Sequence, residues 1–154
     1  METYGILDEA RKFTWDSFNQ NIKNKPFHIF HTCLFVAYSE QLILQYPELN
    51  QSVVRLASIM HDIARPDEDL GITKRIGKVP PHHFNGARIS KEFLEKHNYP
   101  YADQVSEAIL CHGGKFECKT IEAQAIYDCQ RLSDSSPAMH SWFIQKDYLQ
   151  NEIK

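Results

Sequence analysis

The stretch Val53-Val-Arg-Leu-Ala-Ser-Ile-Met-His-Asp-Ile63 is almost wholly apolar and closes with a histidine beside an aspartate. Pro47 ends the segment before it, and Asn50 or Ser52 can cap a helix at its start. A helix that is apolar on nearly every side is expected at the centre of a domain. An imidazole and a carboxylate at the end of such a helix are costly to bury without a partner. Either a divalent cation binds them, or they hydrogen-bond each other or a helix end.

The rest of the chain shows a helical hydrophobic period, and its Gly and Pro residues cluster in a few places. These patterns predict one all-α domain over residues 1–154, with six or seven helices and no strand. Residues 66–81 are expected to form a long loop, and loops of that length in a small domain are often functional. The predicted helices cover about residues 3–22, 27–46, 53–63, 83–96, 102–111, 121–132 and 137–153.

The charge balance limits the classes of partner. The 154 residues include 17 Lys plus Arg and 20 Asp plus Glu, for a net charge of -3. There is no basic excess for binding a phosphate backbone, so bulk nucleic acid is not expected as a partner. No apolar stretch approaches the ~20 residues of a membrane span, and the acidic start does not resemble a signal peptide. We therefore expect a soluble, cytoplasmic protein without a membrane partner.

Histidines are the most informative polar residues in this chain. Of eight, five fall at or near the ends of predicted helices. Neutral imidazoles together with carboxylates suit Zn, Mn, Fe or Co, and helices of a bundle can direct such side chains to one point. The five are His31, His61, His82, His83 and His112.

Five segments, taken in order, resemble the motifs of the HD-domain superfamily of metal-dependent phosphohydrolases. The segment 56–64 resembles its central His-Asp motif, and the others resemble its flanking elements. They are Phe27-His-Ile-Phe-His31, Leu56-Ala-Ser-Ile-Met-His-Asp-Ile-Ala64, His82-His-Phe-Asn-Gly-Ala87, Ala108-Ile-Leu-Cys-His112 and Glu122-Ala-Gln-Ala-Ile-Tyr-Asp-Cys-Gln-Arg-Leu132.

The resemblance implies an HD-type helical bundle with a motif-bearing core at about 27–134 and a further helix at 137–153. It places the site between the second, third and sixth predicted helices, with one or two divalent ions of Mn, Zn, Co, Ni, Mg or Fe. By resemblance, His31, His61 and Asp62 are metal ligands. His83 and His112 then hold a second metal or the phosphate of a substrate. His28 and His82 compete for the roles of His31 and His83, and we expect both outside the ligand set.

The last motif departs from the family pattern. The family places its final ligand where this chain has Gln130, and Asp128 matches the aspartate two positions earlier. The two positions lie about 200° apart around a helix, so only one can face the metal. A buried face composed of Ile121, Ala125, Ile126, Cys129 and Leu132 favours Asp128, whereas the motif alignment favours Gln130. Gln130 would offer only an amide oxygen, which weakens the binding of a divalent ion.

The activity that the resemblance implies is hydrolysis of a small phosphorylated substrate, a nucleotide or another metabolite, by metal-activated water. Asp62 would accept the proton of that water, and His83, His112, Arg65 and Lys74 would stabilise the phosphoryl group. Lys74, Arg75 and Lys78 fit equally well as a solvated loop, and Lys115 is a further candidate. The alternatives are an HD-type di-iron oxygenase and a catalytically degenerate metal- or nucleotide-binding module.

The aromatic residues recur at helical spacing and are predicted to belong to the core rather than to a base-stacking platform. The last helix is expected either to pack on the bundle or to form a homodimer seam. The aromatic set is Trp15, Phe18, Phe27, Phe30, Phe35, Phe93, Trp142 and Phe143.

Overall fold

A computed structural model describes residues 3–73 and 80–152, and all regular structure in these two ranges is helical. The prediction of an all-α bundle is therefore confirmed. Seven helices have ten or more residues, as expected, and an eighth is a single turn. They are α1 (Thr3–Phe18), α2 (Lys25–Gln45), α3 (Gln51–Met60), α4 (Arg65–Asp69), α5 (Pro81–Lys96), α6 (Ala102–Cys111), α7 (Ile121–Asp134) and α8 (Pro137–Glu152).

The short helix α4 lies inside the segment predicted to be a loop. Pro66 sits in its first turn, where the fixed φ of proline suits a helix and the missing N–H costs nothing. Asp67 and Glu68 follow in the same turn, where carboxylates interact favourably with the helix dipole. The loop prediction missed this turn because a five-residue helix has no hydrophobic period to detect.

Helix α3 occupies the centre of the bundle and packs against α1, α2, α6 and α7. The side chain of Asn50 accepts a hydrogen bond from the backbone N–H of Val53 and so caps the helix. Most of its apolar residues are excluded from solvent, as the sequence predicts, and Ile59 is partly buried. Those fully buried are Val53, Val54, Leu56, Ala57 and Met60.

The ends of several helices converge beside the C-terminal end of α3, where His61 and Asp62 follow its last residue. Gly86 of α5 faces the carbonyl oxygen of His61, and a Cβ at this position would lie 3.3 Å from it. The absence of a side chain thus lets α5 approach the end of α3 closely. None of the described helices combines the length and apolar character that crossing a membrane requires.

Candidate metal centre

The carboxylate of Asp62 lies between histidines on two sides, and its two oxygens face different ones. Oδ2 lies 3.2 Å from Nδ1 of His31 and 3.6 Å from Nε2 of His61. Oδ1 lies 3.5 Å from Nε2 of His82 and 3.8 Å from Nε2 of His112. All five side chains are buried. One anion is therefore shared by imidazoles that come from four different parts of the bundle.

The potential metal ligands form two groups. The first group, which we call the Asp62 triad, consists of His31, His61 and Asp62. The second, which we call the histidine triad, consists of His82, His83 and His112. Within each triad the potential ligand atoms lie within 4.8 Å of one another. Because the ligands of a metal ion lie about 2 Å from it, this spacing fits one ion per triad.

Helix carbonyls fix the tautomers of two of these histidines. Nδ1 of His61 donates to the carbonyl oxygen of Ser58 at 2.8 Å, and Nδ1 of His112 donates to that of Ile109 at 2.5 Å. In each neutral ring Nε2 is then left as an acceptor. In a neutral ring, Nε2 of His61 faces another acceptor, the Asp62 carboxylate, and no donor within the described residues reaches it. A buried nitrogen acceptor that faces a carboxylate and has no donor of its own is in the environment that a cation would satisfy.

The electrostatics favour the neutral form of His61, His82 and His83 and the charged form of Asp62. Burial lowers the pKa of His61 to about 3 and, with the neighbouring histidines and Arg65, lowers the pKa of His82 to about 2. Burial and the adjacent His112 lower the pKa of His83 to about 3. Burial by itself would raise the pKa of Asp62, but the surrounding histidines hold it well below its usual range. Neutral imidazole and ionised carboxylate are the forms that bind metals.

Residues of α4 support the histidine triad from outside. The carboxylate of Glu68 accepts from Nδ1 of His82, which directs Nε2 of that ring to Asp62. Nη1 of Arg65 lies 3.3 Å from both ring nitrogens of His82. In the same helix, Asp69 lies 3.0 Å from Nε2 of His28 and 3.5 Å from Nε of Arg65. Its place in an acidic run is the only indication of Glu68 in the sequence.

The structure separates the two candidates for the final ligand. Gln130 lines the cavity that also contains His31 and Asp62, and its Nε2 donates to Oδ1 of Asp134 at 2.8 Å. Asp128 instead lines a different cavity, and its Oδ1 accepts from Gln124 at 3.0 Å.

The expectation that Asp128 faces the metal is therefore corrected by this placement. Ile121 and Leu132, which belong to the buried face predicted for α7, are 53% and 42% exposed. The centre of that face was misplaced, and the side of α7 that faces the histidines carries Gln130 and Asp134. The i, i+4 spacing from Gln130 was the signal that could have found Asp134.

Other expectations are also corrected or refined. His82, expected outside the ligand set, is buried within the histidine triad. The reason is that two adjacent residues in the first turn of α5 can both face the end of α3. His28 contacts Asp69 and belongs to neither triad, as expected. Arg65 and Lys115 line the cavity, whereas Lys74, with Arg75 and Lys78, lies outside the described residues.

Two aromatic residues assigned to the core by the sequence line this cavity instead. Phe27 is half-buried and Phe143 is 47% exposed, and both border the cavity together with the buried Met139. By contrast, Phe18 and Phe35 are fully buried, as predicted. Spacing alone could not separate these cases, because the rim of a cavity lies on the inner face of a helix just as the core does.

A family model for the HD domain matches residues 29–134 of this chain. The chain belongs to the HD-domain family. The HD-domain match includes every residue of both triads, as well as Gln130 and Asp134. HD domains form a superfamily of metal-dependent hydrolases, and the two triads could hold the metal. Comparisons with curated proteins and with solved structures gave no match.

Proposed function

We propose that this HD-domain protein is a metal-dependent phosphohydrolase that cleaves a phosphate ester of a small metabolite. The observation that carries the proposal is the position of Asp62, whose two carboxylate oxygens face two separate triads. In this arrangement His31, His61 and Asp62 hold one divalent ion, and His82, His83 and His112, with Asp62, hold a second. A divalent ion at such a site lowers the pKa of water and neutralises charge on a phosphoryl group.

The side chains around the triads suit a phosphorylated substrate. Arg65 and Lys115 line the same cavity as the triads and supply the positive charge that binds phosphoryl oxygens. In the hydrolysis, the oxygen of water forms a bond to phosphorus, the ester P–O bond breaks, and the alcohol leaves with a proton. Both carboxylate oxygens of Asp62 already face histidines of the triads, Oδ2 those of the Asp62 triad and Oδ1 those of the histidine triad. We therefore assign Asp62 to metal binding rather than to proton transfer.

The ligand chemistry of the histidine triad supports a second candidate, a di-iron oxygenase on the same scaffold. The two triads together supply five imidazoles and one carboxylate, and imidazole suits iron as well as zinc. The third candidate, a degenerate binding module, draws its support from Gln130, because an amide faces the cavity where the family usually has a carboxylate.

Metal analysis followed by an activity screen separates the three candidates. We expect the purified protein to carry close to two Mn, Zn, Co or Ni ions per chain and to release phosphate from monoesters or diesters. Asp62→Asn keeps the shape of the side chain and removes its charge, and it should lose most of both the metal and the activity. His140→Ala, which removes an exposed histidine of α8 outside both triads, is the matched control.

Each other outcome points to a different conclusion. Two irons per chain without phosphate release would favour the oxygenase. A folded protein that retains no added divalent ion would favour the degenerate module. Wild-type metal content in a folded Asp62→Asn variant would contradict the assignment of Asp62 as a shared ligand.

A further inference from the structure

The cavity that contains the triads is lined by two chemically different sets of residues. The polar set includes the histidines, Arg65 and Lys115, and the apolar set is Phe27, Met139 and Phe143. Its volume is about 370 Å³. A water molecule occupies about 30 Å³ in the liquid, so this space corresponds to about twelve waters. That is far more than a phosphate ion needs, and Phe27, Met139 and Phe143 border the same cavity as the triads.

The two aromatic rings of the apolar set, those of Phe27 and Phe143, have defined distances and angles to their neighbours. The ring of Phe27 is parallel to that of His31, with an interplanar angle of 5° and centroids 5.8 Å apart, so it adjoins the Asp62 triad directly. The ring of Phe143 lies 5.8 Å from Phe27 and is tilted by 46°. Neither ring is fully covered by protein: Phe27 is half-buried and Phe143 is 47% exposed. We call Phe27, Met139 and Phe143 the aromatic wall.

The packing of α8 holds the aromatic wall in place. Trp142 stacks on Phe30 of α2, with centroids 4.8 Å apart and an interplanar angle of 13°. Met139, one turn earlier in α8, is buried. These two contacts fix the face of α8 from which Phe143 reaches the cavity.

The aromatic wall lies outside the residues that the HD family model matches. The family match begins at residue 29 and ends at residue 134. Phe27 precedes it, and Met139 and Phe143 follow it. The triads, Arg65 and Lys115 thus lie within the matched range, and the aromatic wall lies just outside it.

We infer that the aromatic wall selects phosphate esters whose organic part is a planar aromatic ring, such as the base of a nucleoside monophosphate. This inference rests on the proposed function, because it places the phosphate at the triads and the ring against Phe27 and Phe143. An aromatic face stacks well on any nucleobase and gains little from a flexible sugar. Phe143 is then a specificity-determining residue.

The test compares ligands that differ in one part at a time. Calorimetric titration with adenosine, which has no phosphate, measures the wall separately from any hydrolysis. With Mn²⁺ supplied, kcat and KM are measured for adenosine 5′-monophosphate, phenyl phosphate and ribose 5-phosphate. The variants are Phe143→Ala, Phe143→Leu and Phe143→Tyr. Tyr46→Ala is the matched control, because Tyr46 is 48% exposed and lines a different cavity.

We expect Phe143→Ala to weaken adenosine binding, and to raise the KM for adenosine 5′-monophosphate, by about tenfold, as removal of one base-stacking ring does elsewhere. The kcat and the KM for ribose 5-phosphate should stay within twofold. Compared with Phe143→Ala, Phe143→Leu should restore little of the adenosine binding and Phe143→Tyr most of it, because the inferred contact requires a planar ring. An equal increase in the KM for phenyl phosphate would show that the aromatic wall binds any planar ring. A smaller increase would show a preference for a nucleobase.

The outcomes separate this inference from the proposed function. If adenosine binding depends on Phe143 but no ester is hydrolysed, the role of the aromatic wall in binding a planar ring is supported and the hydrolase proposal fails. If esters are hydrolysed with equal KM values for the nucleotide and the sugar phosphate, and Phe143→Ala changes neither KM, the role of the aromatic wall is refuted and the hydrolase proposal is not. That role is equally refuted if Phe143→Ala dissociates a dimer in sedimentation experiments and leaves adenosine binding unchanged, since a second copy would then cover this surface.

Discussion

Gly113 lies directly against the ring of His83, and a Cβ at position 113 would come within 1.8 Å of its Cε1. No rotation of a terminal group relieves such an overlap, because the ring of His83 is itself buried. The position of a metal-ligand candidate on α5 therefore depends on the lack of a side chain at the end of α6.

Replacing this glycine should disturb one triad more than the other. In Gly113→Ala, His83 must move away from His112, so we expect about one bound ion per chain instead of two. Forcing a methyl group into a packed site commonly costs 1–3 kcal/mol, so we expect the free energy of unfolding to fall by about 2 kcal/mol. Metal analysis and urea denaturation measure the two effects. Gly5→Ala is the control, since nothing lies within 4 Å of a Cβ there. Unchanged stoichiometry in Gly113→Ala would refute the role of His83.

The two candidates for the final ligand can be distinguished by charge. Gln130→Glu keeps the size of the side chain and adds an anion to the cavity, so we expect the affinity for Mn²⁺ to rise by about tenfold. Without metal, the same variant should be about 1 kcal/mol less stable, because two carboxylates then face each other at Asp134. Asp128→Asn should change neither quantity, since Asp128 lines another cavity. Loss of metal from Asp128→Asn, with no effect of Gln130→Glu, would reverse this assignment.

Glu68 should influence metal binding without touching the metal. Its carboxylate accepts from Nδ1 of His82 and so orients the ring. Removing such an outer partner typically weakens metal binding 10- to 100-fold, and we expect Glu68→Gln to fall in this range. Asp67→Asn is the matched control, because it makes the same change of charge in the same turn of α4. The affinity for Zn²⁺ or Mn²⁺ is measured by competition with a chelator. Equal affinities in the two variants would show that His82 needs no orienting partner.

The metal-free protein should become less stable as the pH falls below about 6.5. Unfolded histidines take up a proton near that value, whereas the pKa values of folded His61 and His83 are lowered to about 3. The unfolded state then binds more protons, and each such histidine contributes up to about 1.4 kcal/mol per pH unit in the direction of unfolding. The pKa of Asp62 is also lowered, so protonation there acts in the same direction at still lower pH.

Urea denaturation in the presence of a chelator, at several pH values between 7 and 4.5, measures this slope. His83→Asn should reduce the slope by roughly one histidine's contribution, and His140→Ala should leave it unchanged. A stability that stays constant or increases over this interval would mean that the triads are not buried as neutral imidazoles.

The bundle and the principal ligand candidates could be predicted from the sequence because their signals are local. The apolar period of α3 ends in His61 and Asp62, and the family motifs occur in order around it. Which residue of α7 faces the triads, Asp128 or Gln130, could not be predicted in this way. It depends on which face of that helix meets the histidines, and the exposure of Ile121 and Leu132 became known only from the packing.

The contact of Glu68 with His82 and the aromatic wall could not be predicted from the sequence, for a different reason. Glu68 reaches His82 from a single-turn helix, and Phe143 reaches Phe27 from the far end of the described chain. Contacts between side chains so far apart in sequence leave no trace in local periodicity. Only the packing of α4 and α8 brings them to the cavity.

The residues of the two triads are spread over α2, the end of α3, the start of α5 and the end of α6. Two ions bound by them would therefore together act as a reversible cross-link between four helices, available only to the folded chain. The binding free energy of each ion is then added to the stability of the fold, by about 2.7 kcal/mol when the free ion is present at a hundred times its Kd. The supply of metal would thereby set how long the folded chain survives proteolysis, in addition to whether it can act.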